Sequence, residues 1–83
     1  MSETQVRERI LEILKDLCPD FDPFSGRKLA TDRILRSFDI VTLVTEMMDA
    51  FDIEITAVDM VPFNFDSVDA MTGLVLNKLA DKG

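Results

Sequence analysis

The chain reads as an all-α protein, a small four-helix bundle with a long loop after helix one and a short third helix. Three observations predict this. Apolar residues recur at steps of three and four in three long stretches. Capping signals stand at Ser2–Gln5 and Thr56–Asp59. No stretch alternates apolar and polar residues as a half-buried strand would, and there is no internal repeat. The 83 residues suit one domain, 1–83, near the size where a single core still suffices without staples.

Helix one is expected over about residues 3–17. Ser2-Glu3-Thr4-Gln5 fits a capping box, and Val6, Ile10, Ile13, Leu14 and Leu17 share one face, with Leu11 at its edge. Cys18-Pro19 ends the helix, because a residue before proline avoids the helical region. Residues 18–33 form the long connection, with Phe21, Phe24 and Leu29 as packing anchors. Ile34-Leu35 should pin its end to the bundle. Helix two is expected over about 37–51, with Phe38, Val41, Val44, Met47, Met48 and Phe51 as its apolar stripe. Thr56 caps a third helix of barely one turn, about 57–61, which Pro62 closes. Helix four starts at Asp66-Ser67-Val68-Asp69, with both acids in its first turn complementing the dipole. Val68, Met71, Val75 and Leu79 face inward. Gly73 lies inside it, weakening it or admitting a close neighbour.

Composition narrows the function. The hydrophobic share of 47% argues for a folded chain. No run of apolar residues is long enough for a transmembrane helix, and the N-terminus lacks a signal-peptide pattern, so a cytoplasmic location is expected. There is no histidine, which removes the commonest general base and metal ligand. Cys18 therefore has no base to make it a nucleophile, and no catalytic residue is expected. Asp20 and Asp22 lack the glycine and terminal glutamate of an EF-hand loop, so no metal site is expected.

The net charge of −7 is unevenly spread. Residues 1–36 hold seven acids and seven bases, which cancel. Residues 37–77 hold eight acids (Asp39, Glu46, Asp49, Asp52, Glu54, Asp59, Asp66, Asp69) and no Lys or Arg. Such a surface repels nucleic acid and attracts basic protein patches.

The chain is organised around residues 36–55. Arg36 precedes Ser37, which stands where helix two begins. Free N–H groups and the positive end of the macrodipole would favour a phosphate attached there. A Ser at that place also serves as an N-cap, its hydroxyl accepting a first-turn N–H. Ser37-Phe38-Asp39-Ile40-Val41-Thr42-Leu43-Val44 is similar to the Asp-Ser-Leu-Asp-x-Val-x-Leu-Val stretch of acyl carrier proteins. Phe51-Asp52-Ile53-Glu54-Ile55 resembles that family's Phe-Asp-x-Glu-Ile helix ending, and Asn64-Phe65-Asp66-Ser67-Val68 resembles the entry to its last helix. The likeness covers about residues 34–76 without a gap.

The resemblance implies an acyl-carrier-protein-like four-helix fold. It implies a 4'-phosphopantetheine arm on Ser37, carrying acyl or aminoacyl groups as thioesters in fatty acid biosynthesis or related lipid metabolism. Implied partners are a phosphopantetheinyl transferase and acyl- or aminoacyl-loading and acyl-transfer enzymes with basic docking patches, met by a monomer. The helix after the serine would be the recognition helix, with Asp39, Glu46, Met48, Asp49 and Asp52 on it and Glu54 and Asp59 beyond. Arg36 replaces the family's usual Asp. It either opposes modification by displacing magnesium or contacts the phosphate of the attached arm. Thr42 and Met48 stand where fatty-acid carriers have glutamates, and the Phe after the serine resembles D-alanyl carrier proteins. A specialised stand-alone carrier is thus implied. The alternative is an unmodified helical interaction module that has kept the fold. Phe38, Val41, Val44, Met47, Phe51, Val68, Met71 and Val75 are expected to line the space between helices two and four.

Overall fold

Ser2 opens the first helix with both halves of a capping box. Its Oγ accepts the Gln5 N–H at 3.2 Å, and Gln5 Oε1 accepts the Ser2 N–H at 3.0 Å. A computed structural model describes residues 2–22 and 25–82. In it α1 runs Glu3–Leu17, α2 Ser37–Phe51 and α3 Val68–Lys82. Two 3-10 turns, Ala57–Asp59 and Pro62–Phe65, lie between α2 and α3. The described residues are thus all-helical, with no strand. Three α-helices stand where four helices were expected. No helix among them is long and apolar enough to cross a membrane.

The third helix differs for a local reason. Thr56 and Asp59 do cap a turn: Asp59 Oδ2 accepts the Thr56 N–H at 3.0 Å. That turn stops at Asp59. Pro62 then opens the second turn rather than closing the first. The N–H that proline lacks would be unbonded at a helix start anyway, so proline costs little there.

α1 packs closely on both α2 and α3 and buries Val6, Ile10, Ile13 and Leu14. Leu17 and Leu11 are half-buried at the edge. Arg7 pairs with Asp69 across the α1–α3 seam. The backbones of α2 and α3 stand further apart than either does from α1. Bulky side chains fill the core that the three helices share: Met47, Phe51, Phe65, Met71 and Val75 are all buried. Burying each such side chain contributes roughly 1.5–3 kcal/mol.

On α2 the buried face is Leu43, Val44, Met47 and Phe51. Phe38 and Val41 are 65% and 60% exposed, so they do not line the core as their spacing suggested. A step of three residues falls about 60° short of a full turn, so 38, 41, 44 and 47 walk about half-way round the helix. Steps of four stay on one face, and 43, 47 and 51 mark the true seam. Val68, Met71 and Val75 are buried as expected, and Leu79 is half-buried.

The long connection is tied down. Leu29 and Leu35 are buried, Phe21 and Ile34 half-buried, and Phe24 lies outside the described residues. Leu35 donates its N–H to the Leu29 carbonyl at 2.9 Å. Asp66 provides the long-range tie. Its carbonyl accepts the Leu29 N–H at 3.0 Å, and its carboxylate accepts the N–H groups of Ala30 and Thr31 at 3.1 and 2.7 Å. The Thr31 hydroxyl adds a fourth bond at 2.7 Å. Asp66 is therefore a loop clamp and lies before α3, not in its first turn. Ser67 caps α3 by accepting the Ala70 N–H at 3.0 Å, and Asp69 alone complements the dipole. A Cβ at Gly73 would meet nothing within 4 Å, so no neighbour requires glycine there.

Candidate functional site

Ser37 is the first helical residue of α2, and Arg36 is the N-cap, with φ −87° and ψ 172°. The serine is therefore not the cap. The Asp39 carboxylate closes the helix start instead, accepting the Arg36 N–H at 3.1 Å. Ser37 is exposed, and its hydroxyl makes no hydrogen bond among the described residues. The first-turn N–H groups beside it have no intrahelical acceptor, which leaves a donor-rich, positive helix end around the hydroxyl.

A groove of about 680 Å³ opens beside the serine. Ala30, Arg33, Leu35, Arg36, Ser37 and Ile40 line it. The tied loop shapes one wall: Arg33 sits at φ 59°, a left-handed conformation that costs a non-glycine residue about 1 kcal/mol. Arg33 was not singled out from the sequence. Its signal was weak, one of four bases spread through residues 27–36, and only the turn from Ala30 to Leu35 brings it to the serine.

The acidic positions divide. Glu46 and Asp49 are exposed on α2, and Glu54 is exposed beyond it. Asp52 is the left-handed C-cap of α2 at φ 53°, with its N–H donating to the Met48 carbonyl. Asp39 and Met48 are half-buried. Asp59 is committed inside the chain: Lys78 Nζ lies 2.7 Å from its Oδ2, and Thr56 donates to it twice. The Lys78 bond, then the Thr56 N–H, hold the Asp59 carboxyl below its ordinary value. Burial alone would raise Asp66, but the bonds from Thr31 and Ala30 outweigh it and lower its pKa. Cys18 is half-buried, and burial, aided by the Asp39 charge, pushes its thiol up, away from thiolate reactivity.

α2 and α3 begin at one end of the molecule and finish at the other. Thr31 and Ala30 connect the groove at Ser37 to Asp66 just before α3. At the far end, Asp52, Ile53, Glu54, Thr56, Lys78 and Asp81 line a second groove of about 430 Å³. Phe38 and Val41 on α2, and Val61 and Phe63 before α3, leave much of their apolar surface exposed. No protein-family model matches this chain, and no curated protein matches it.

Proposed function

We propose that this chain is an acyl carrier. Ser37 bears a 4'-phosphopantetheine arm, and acyl or aminoacyl groups travel on its thiol to partner enzymes. The observation that carries this is the Ser37 hydroxyl: exposed, unbonded and set on the first turn of α2. A serine kept for capping would stand at the N-cap with its oxygen occupied; Ser37 stands one position past the cap. The chemistry suits attachment, since a phosphate on that oxygen meets free N–H donors and the positive helix end. The resemblance of residues 34–76 to acyl carrier proteins points the same way. Such a protein is not an enzyme. Tethering raises the effective concentration of its cargo at whichever enzyme it docks.

Docking falls to Glu46, Asp49, Asp52 and Glu54, with Met48 at the edge of that face, and basic patches on the loading and transfer enzymes answer them. Asp39 and Asp59 contribute field rather than direct contact, because both are half-buried. The protein works as a cytoplasmic monomer, first modified by a phosphopantetheinyl transferase.

Intact mass of the protein purified from its native host tests this. A single phosphopantetheinyl increment, abolished by Ser37→Ala, is expected. An unmodified mass in cells holding an active transferase would leave the alternative, a helical interaction module without an arm.

A further inference from the structure

Arg33 and Arg36 flank Ser37 in one groove, and neither has an ion-pair partner among the described residues. Both are exposed. Their position is electrostatically unfavourable for the helix itself, because cations belong near a helix C-terminus, not at its positive end. Arg33 is also held in a left-handed backbone conformation that glycine or asparagine would adopt more readily. Neither capping nor packing accounts for the pair: the Arg36 side chain makes no cap bond, and the buried residue of this wall is Leu35.

We propose that Arg33 and Arg36 form an anion site that clamps the phosphodiester of a group attached to the Ser37 oxygen. This rests on the attachment proposed above. An anion on that oxygen would face the free N–H groups of the first turn and two guanidinium forks, which favour phosphate oxygens. The unfavourable charge at the helix start then becomes favourable. Leu35 and Ile40 give the groove an apolar floor for the first carbon atoms beyond the phosphate. Two nearby carboxylates act against the anion and are already engaged. Asp39 accepts the Arg36 N–H at 3.1 Å, and Asp32 accepts the Lys28 N–H at 2.9 Å. The clamp gives Arg36 the role of a positioning residue for the arm, in place of the metal-binding acid that the family pattern implies there.

The test installs phosphoserine at position 37 of the full chain during translation. This puts a phosphate on the same oxygen whether or not any transferase accepts the protein. Attachment is judged by the mass measurement above, and the clamp by this one. The probe is that phosphate, titrated by phosphorus NMR; phosphoserine ordinarily loses its second proton near pH ~6. Two adjacent guanidiniums favour the dianion, so the midpoint should lie roughly 0.5–1 unit below that of a chain with Arg33→Gln and Arg36→Gln. The gap should shrink in about 1 M salt, where screening acts over roughly 3 Å. Glutamine leaves the backbone cost at position 33 unchanged, and the helix N–H groups and Asp39 are common to both chains. Arg27→Gln, outside the groove, should leave the midpoint in place. Equal midpoints in folded chains overturn the clamp, as does an Arg27→Gln shift as large as that of the pair. Should the double variant not fold, each single variant is expected to give about half the shift, and no shift in either overturns the proposal equally.

Discussion

The two ends of α2 differ in charge, and each carries the sign that a helix end disfavours. Arg33 and Arg36 crowd the N-terminal end beside Ser37, where the backbone is already positive. The last turn holds Asp49 and no base, and Asp52 and Glu54 follow, where the backbone is negative. Each mismatch costs about 0.3–1 kcal/mol at low salt. The other helices carry favourable signals: Ser2 caps α1, Lys15 sits in its last turn beside Asp16, and Asp69 opens α3. Disfavoured charges at both ends of one helix, eased at its start by Asp39, point to charges placed for partners rather than for stability. The basic end suits an anion attached to the chain. The acidic end suits a protein arriving from outside.

The largest expected effect separates the basic end from its scaffold. Asp66→Ala leaves the Ala30 and Thr31 N–H groups without their acceptor and frees the loop that carries Arg33 and Arg36. A loss of about 2 kcal/mol in urea unfolding is expected, the scale of hydrogen bonds to a charged group. Amide shifts in the NMR spectrum should spread through residues 28–36 and leave the far groove at Asp52 unmoved. A change confined to the site of mutation would show that the loop holds itself.

The same carboxylate, with Asp59, governs behaviour in acid. Both have folded pKa values below those of the unfolded chain. The stability each contributes is therefore fully present above the ordinary carboxylate value, about 3.9, and is lost as pH falls through the lowered folded value. Unfolding curves should be flat from about pH 7 to pH 5 for these two groups and steepen below about pH 4. Asp66→Asn removes one titration while keeping an acceptor, so its acid limb should be shallower. An unchanged slope would mean the Asp66 bonds persist when it is protonated.

The smallest effect sharpens the comparison most. Asp49→Lys replaces a disfavoured charge at the end of α2 with a favoured one, so stability should rise by a few tenths of a kcal/mol, at most about 1. Joined with Glu46→Lys, it should slow loading by partner enzymes at low salt and flatten their salt dependence. Faster thermal loss with unchanged partner kinetics would show the reverse, a face placed for the fold.

Much of the fold was legible because its signals are local. The Ser2–Gln5 box and Cys18-Pro19 bound α1 within a few residues of chain, and the limits of α2 followed from its periodicity. What failed was of two kinds. The spacing of Phe38 and Val41 joins them to Val44 and Met47, but steps of three drift around a helix and carry the first two out of the core. Pro62 reads as a stop, but proline is equally at home as a start. Other features are tertiary. Nothing local links Asp66 to Thr31, thirty-five positions away, or Lys78 to Asp59. For the site, Ser37 and Arg36 were visible in the motif, but Arg33 reaches the serine only through a turn whose closure depends on Leu29, Leu35 and Asp66.

That turn sets the mechanics of anything mounted on Ser37. The backbone ahead of the serine is anchored by buried Leu35 and its bond to Leu29, and the Ile40 N–H locks Arg36 from the other side at 3.0 Å. The base of an attached group is thus a fixed pivot, and its freedom begins no nearer the chain than the Oγ atom. The volume such a group can sweep is set by its own bonds and not by a wandering loop. Any enzyme acting on such a group would therefore have to bring its own catalytic centre within that group's reach of this end of α2.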